Sequence, residues 1–269
     1  MLANTDGACL IERKVPDAIK AAGISFEGGI NRRIALGGHS GLRGRTIFFG
    51  DIYPEHHDFS QATIITRLGY DYQTARDGLA ISPSFDLGTL GSSTLYRAWG
   101  LNAEWTHIFS SKVMARLEAN HRKFDYLLAG YQSQDGPLTD IGLTTWYVPA
   151  RNWTLFAGLD FSAKDAPLSV DSYHQWGARL GVNKAFGQSA SIMVIGSYRR
   201  RDFRAYSELF EAQRSDDQFN ATVIARFPIL KFAALTPEVV VQHNRVESNI
   251  DWLYSYKRTI ASVRLSRAF

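Results

Sequence analysis

Cysteine is almost missing from this chain. Cys9 is the one thiol among 269 residues, which excludes an internal disulfide framework and any cysteine-clustered metal site. No stretch approaches the roughly 18 apolar residues of a membrane-spanning helix, and mean hydropathy is −0.18. An excess of one charge sign is also lacking: 30 Lys and Arg face 26 Asp and Glu, a net charge of +4. The basic triplet Arg199–Arg201 falls at the end of a predicted strand, where charge is ordinarily solvated. No Lys/Arg block is long enough to read as a nucleic-acid patch, so nucleic acid is not expected as a partner.

Recognisable chemistry is lacking as well. The sequence holds no G-x-S-x-G elbow, no H-E-x-x-H helix and no phosphate-cradling glycine loop. His56 and His57 are adjacent and read as a surface loop rather than as metal ligands. Asp216 and Asp217 are consecutive, and consecutive strand residues point to opposite faces, which argues against shared acid–base work. Ser172 and His174 stand two apart, a spacing common by chance. No catalytic, cofactor-binding or metal-binding residue is assigned, and no enzyme activity is expected. Finally, Met1–Gly23 shows no basic start followed by an apolar run and a small-residue cleavage site, so no secretory signal is recognisable. That stub is expected to be helical (around Pro16–Ala22) or disordered, the remnant of a preceding domain.

What the chain does have is period-two alternation over almost its whole length, the primary signal of half-buried strands. Trp153, Leu155, Ala157, Leu159 and Phe161 form one face of such a segment. Trp176, Ala178, Leu180 and Val182 form another, and Phe219, Ala221, Val223 and Ala225 a third. Segments are drawn at 24–36, 61–74, 79–88, 93–108, 112–124, 137–148, 152–163, 171–186, 189–202, 214–228, 235–247 and 254–269, with Arg43–Phe49 as a further candidate. Many reach the roughly 9–11 residues with which a tilted strand crosses a bilayer. Short turns at Thr74–Gly78, Phe109–Lys112, Val148–Asn152 and Phe186–Ser189 alternate with long links at 37–60, 125–136, 164–170 and 203–213, and a link at 228–234 breaks the rule. The chain ends on an alternating segment and an aromatic carboxy-terminus, Phe269, as the closing strand of an outer-membrane barrel does.

These features predict an all-β fold: one antiparallel transmembrane barrel of about 12 strands (12–14) over residues 24–269, with both termini at the short-turn end. Aromatics make up 13% of the residues, including 12 Tyr and 6 Trp, enough for two interfacial girdles. Arg67, Asp71, Glu104, Arg116, Glu118, Asn120, Arg122, Asp140, Asp160, Arg179, Arg226, Glu238, Arg258 and Arg264 fall on the polar register. They would face inward, because Arg or Lys facing lipid at the midplane costs roughly 2–4 kcal/mol. Such an interior either conducts something or is filled by its own ion pairs.

An ordered set of motifs runs through the last seventy residues: Leu209-Phe210, Arg214 and Asp216, Thr236-Pro237, Ser248-Asn249-Ile250, then Tyr254, Tyr256, Arg258 and Phe269. This set resembles the carboxy-terminal barrel of the surface lipoprotein assembly modifier family, and Ile30-Asn31-Arg32 is similar to that family's first-strand element. The resemblance implies an integral protein of the Gram-negative outer membrane, contacting its lipid, that delivers lipoproteins to the cell surface. It also implies that outer-membrane assembly machinery recognises the terminal strand. The resemblance also implies an amino-terminal periplasmic helical-repeat domain, which residues 1–269 are not expected to include, and a barrel of fourteen strands. The motif residues themselves also suit architecture. Pro237 fits the first position of a strand, and Ser248-Asn249 supplies turn-forming side chains. A general diffusion channel for small solutes is the alternative reading, and an outer-membrane hydrolase a third.

Overall fold

The computed structural model describes residues 2–5, 8–11, 21–232 and 235–266. Two short strands, β1 (Leu2–Thr5) and β2 (Ala8–Ile11), pair only with each other. Residues 6 and 7, between the two strands, lie outside the described residues. The helix expected around Pro16–Ala22 falls mostly outside the described residues, and residues 21–23 are irregular.

Among the described residues, thirteen further strands form one antiparallel meander. They are β3 (Ile24–Gly37), β4 (Ser40–Ile52), β5 (Gln61–Gln73), β6 (Asp77–Leu90), β7 (Ser93–Ser110), β8 (Val113–Tyr126), β9 (Gly136–Ala150), β10 (Trp153–Lys164), β11 (Tyr173–Phe186), β12 (Ala190–Ser207), β13 (Ala212–Arg226), β14 (Thr236–Ser248) and β15 (Tyr256–Ser266). Each pairs with its sequence neighbours, from β3 at one edge to β15 at the other.

The additional strand is β4, expected only as a candidate within the 37–60 link. Its alternation is blurred because glycines sit on both faces and because Ile47 and Phe49 share a register with Arg43, Arg45 and Asp51. The count of thirteen changes the ends. Ile24 opens the sheet at the long-loop end and β15 finishes at the short-turn end, so the expectation of both termini at one end is corrected. With an odd number of strands, β3 and β15 run in the same direction. Phe269 lies outside the described residues.

The two ends differ as the turn pattern predicted. At the short-turn end the links are 38–39, 74–76, 111–112, 151–152 and 187–189, with 227–235 the exception. At the other end are 53–60, 127–135, 165–172, 208–211 and 249–255, and one tight turn at 91–92. Gly91 makes that tight turn possible, its φ of 57° being disfavoured for residues with a Cβ.

Burial is inverted relative to a soluble domain. The largest fully buried side chains are Val240 and three aspartates, Asp71, Asp86 and Asp216, while Leu159, Leu180 and Val263 are 63%, 68% and 75% exposed. One face of the sheet thus carries aliphatic side chains to the outside. Exposed Trp105, Phe109, Tyr147 and Phe186 lie toward the short-turn end of that face, and Trp99, Phe161 and Trp176 toward the long-loop end, two aromatic bands. The opposite face is polar and concave. Arg43 on β4 bonds Glu104 on β7 at 3.4 Å, although strands three apart on a flat sheet stand about 14 Å from one another. Curvature brings the sheet's ends together as well: the Arg258 guanidinium on β15 donates to the Tyr53 hydroxyl, just beyond β4, at 3.1 Å.

Candidate functional site

The concave face is built from cross-strand ion pairs. Arg122 reaches Asp86 with one guanidinium nitrogen and Asp140 with the other, both at 2.9 Å. Arg33 holds Asp71 at 2.7 Å, Arg67 holds Glu118 at 3.2 Å and Arg179 holds Asp160 at 3.1 Å. Asn102 and Asn120 join the Arg67–Glu118 pair through further hydrogen bonds. All the residues expected inward from the alternation share this face by register. A cavity of about 380 Å³ at the short-turn end is lined by Arg33, Arg43, Asp71, Glu104 and Arg116 among others.

Several of these arginines lie flat because a glycine stands beside them on the next strand. A Cβ at Gly100 would fall 2.8 Å from Arg122 Cγ, one at Gly158 2.6 Å from Arg179 Nε, and one at Gly177 2.8 Å from Arg199 Cγ. Gly41 makes the same room for Arg33, at 2.9 Å from its Cζ. The four glycines are thus seats for guanidinium side chains.

The second feature is a knot at the long-loop end, where β13, β14 and their loops meet. Arg214 donates two hydrogen bonds to Asp216, at 2.9 and 2.7 Å, and Asp216 is almost wholly buried. The Arg214 guanidinium lies over the Tyr254 ring, 3.3 Å from its centroid, and 4.5 Å from that of Phe203. Phe210 packs edge-on against Trp252 and Tyr254 at 6.0 and 6.1 Å. Asn249 locks the loop 249–255 to β13: its side-chain oxygen accepts from Ser215 N at 2.9 Å, and its amide donates to Gln213 O at 2.8 Å. Ser248 Oγ accepts from Ile250 N, and Ser255 Oγ accepts from Ser248 N. Ile250 is buried beneath.

A family model described as surface lipoprotein assembly modifier matches residues 3–269. The chain belongs to the surface lipoprotein assembly modifier family. It is 34% identical over 96% of its length to the hemophilin secretion modulator of Acinetobacter baumannii, covering 52% of that protein. It is 21% identical to the surface lipoprotein assembly modifier of Pasteurella multocida, over 74% of this chain and 43% of the relative. The chain therefore spans about half the length of the curated relatives it matches. Among solved structures, a variant of OccD1 (OprD) is similar at 12% identity with a TM-score of 0.44, over 87% of this chain and 67% of that one. KdgM porin is similar at 11% identity with a TM-score of 0.36, over 65% and 90%.

In this family member the motif residues separate into three places. Phe210, Arg214, Asp216, Ser248, Asn249 and Ile250 converge in the knot. Thr236 and Pro237 open β14 at the opposite end, where Pro237 O accepts from Phe227 N at 3.0 Å. Tyr256 and Arg258 lie on the concave register of the edge strand β15. Arg32, from the first-strand motif, sits on the outer register of β3, opposite Gly44.

Sequence reasoning missed the aromatic residues of the concave face. Tyr96, Phe124 and Tyr126 form a cluster with centroids 5.2–6.2 Å apart, and Lys164 Nζ lies 5.0 Å from the Phe124 centroid. The alternation that turns Glu104 and Arg122 inward puts Tyr96 and Phe124 on the same face, a signal hidden by their apolar character. As read from sequence, Asp216 and Asp217 diverge, the latter accepting from Tyr198 on the outer register at 2.5 Å. His174 accepts a hydrogen bond from Arg204 at 3.1 Å, while Ser172 caps the loop at Ala166 N at 2.9 Å. Among the described residues no group of three or more His, Cys, Asp or Glu is placed to hold a metal.

Proposed function

We propose that residues 24–269 form an outer-membrane β-barrel that carries a cargo protein, a surface lipoprotein or a hemophilin-type secreted protein, to the outside of a Gram-negative cell. One observation carries this reading: an aliphatic outer face banded by aromatics backs a concave face of arginines and carboxylates. The first suits hydrocarbon, the second an aqueous interior. The long-loop end then faces outward and the short-turn end the periplasm. Assembly machinery recognises the terminal strand. The role is non-catalytic, in keeping with relatives named as modifiers and modulators of secretion.

The test is genetic. Deleting the gene should remove a protease-accessible lipoprotein or a secreted protein from the cell exterior, and restoring it should return that protein. Unchanged surface and secreted proteins would refute the reading. The porin alternative draws on the same concave face. It would be favoured by steady conductance across planar bilayers together with an unaltered set of exported proteins.

A further inference from the structure

Charge is distributed unevenly around the concave face. Among the described residues, every carboxylate on it except Asp216 and Glu238 belongs to the β3–β10 wall, where acids and arginines neutralise one another. On the β11–β15 wall Asp216 is held by Arg214 and Glu238 by Arg226. Arg264, level with Glu238 at the short-turn end, and three arginines of the long-loop half, Arg199, Arg201 and Arg258, are left with no ion-paired carboxylate among the described residues.

Arg199, Arg201 and Arg258 make one patch. Cross-strand register places Arg201 level with Asp216 and Ser248, Arg199 level with Gln218 and Val246, and Arg258 level with Asn244, Asn220 and Ser197. The patch therefore covers three successive rows in the long-loop half of the wall, about 14 Å along the strands and as much across them. Arg201 donates twice to Gln175, a neutral partner, at 3.0 and 2.9 Å, and lies 4.3 Å from the Tyr173 centroid. Arg199 rests on Gly177. Arg258 is exposed and donates to a tyrosine hydroxyl.

We propose that this wall binds an acidic, extended polypeptide segment of the exported cargo, with Arg199, Arg201 and Arg258 pairing its carboxylates. The guanidinium fork matches carboxylate geometry. Gln218 and Asn244, interleaved with the arginines, carry both donors and acceptors. That suits the amide backbone of a peptide, whereas a phosphate or another small anion offers acceptors only. The inference rests on the export reading for the source of the segment.

The full chain, purified in non-ionic detergent, is titrated with a fluorescent poly-glutamate peptide of roughly ten residues, long enough to cross the three rows. A poly-lysine peptide of equal length serves as control, and inorganic phosphate as competitor. Poly-glutamate is expected to bind and poly-lysine not, with affinity falling at least about tenfold between ~50 and ~300 mM salt as the charges are screened. The triple variant Arg199→Gln, Arg201→Gln, Arg258→Gln should bind poly-glutamate at least about tenfold more weakly, a loss of 1.4 kcal/mol or more. The lysine counterparts should keep most of the binding, since they keep the charge.

Equal binding of both peptides, undiminished binding by a folded triple-glutamine variant, or displacement by phosphate at equal charge concentration would overturn the proposal. Should the triple variant fail to fold, the peptide preference and salt response of the wild type decide the matter. In cells the two readings separate. If deletion abolishes export while the triple variant exports normally, the wall is refuted and the export reading stands. If the peptide binds as expected but deletion changes no exported protein, the export reading falls instead.

Discussion

Arg214 and Asp216 stand two residues apart on β13, side by side on the concave face, and the first grips the second with two hydrogen bonds of 2.9 and 2.7 Å. Because the acid is 1% exposed, removing its partner strands a charge away from water. Arg214→Ala should therefore cost about 3–5 kcal/mol, as breaking a buried pair by deleting one member does. Asp216→Asn leaves the less buried Arg214 as the unpaired charge and should cost less. Urea unfolding midpoints in lipid vesicles would measure both, and equal midpoints for the two variants would contradict the argument.

Asn249 joins loop 249–255 to β13 through three hydrogen bonds, two from its side chain and one from its backbone. Asn249→Asp keeps the acceptor for Ser215 N but sets a carboxylate oxygen against Gln213 O. A loss of about 1–3 kcal/mol is expected, the cost of an unsatisfied polar group. Its most direct readout is faster proteolytic nicking of that loop while the remaining chain stays resistant.

Outward and inward positions should respond oppositely to charge. Leu159→Arg places a cation on the exposed aliphatic face and should cost about 2–4 kcal/mol in a bilayer. Thr222→Arg on the concave register should cost little. If the outer face meets water rather than lipid, Leu159→Arg will be neutral, which a vesicle-folding assay would reveal.

Gly69 and Gly196 offer a matched pair. A Cβ at Gly69 would fall 2.1 Å from the Ile81 carbonyl oxygen and 2.5 Å from Ser82 Cα, both backbone atoms of β6, whereas nothing lies within 4 Å of one at Gly196. Gly69→Ala must push β5 from β6 and should cost about 1–3 kcal/mol. Gly196→Ala should instead stabilise by about 0.4–1 kcal/mol, through the entropy of the unfolded chain. Thermal midpoints of the two variants should move in opposite directions.

Much of this architecture is legible in one dimension because strand side chains alternate with a period of two. The outward set Leu155–Leu159–Phe161 and the inward set Arg116–Glu118–Asn120–Arg122 can be read without coordinates. β4 resists that reading because Gly41, Gly44 and Gly50 remove side chains from both faces, while Ile47 and Phe49 point inward. The knot was half legible. Its members appear as ordered motifs, yet the meeting of Arg214 with Tyr254, forty residues on, depends on how two loops fold over the same strand end. The pairing of Arg43 with Glu104 depends on curvature, which no local pattern encodes.

The glycine seats also set how the concave face meets ions. A guanidinium laid along the strands has already lost the rotamer freedom that a standing arginine would give up on contact, of order 2 kcal/mol for a long side chain. The face therefore resembles an ion-exchange bed with immobilised charges rather than a brush of mobile ones. Counter-ions can accumulate over it, and the acidic segment proposed above would trade places with them without first combing side chains aside. A substitution that fills one of these seats, such as Gly177→Val, would raise Arg199 off the wall and convert a smooth charged track into an obstacle.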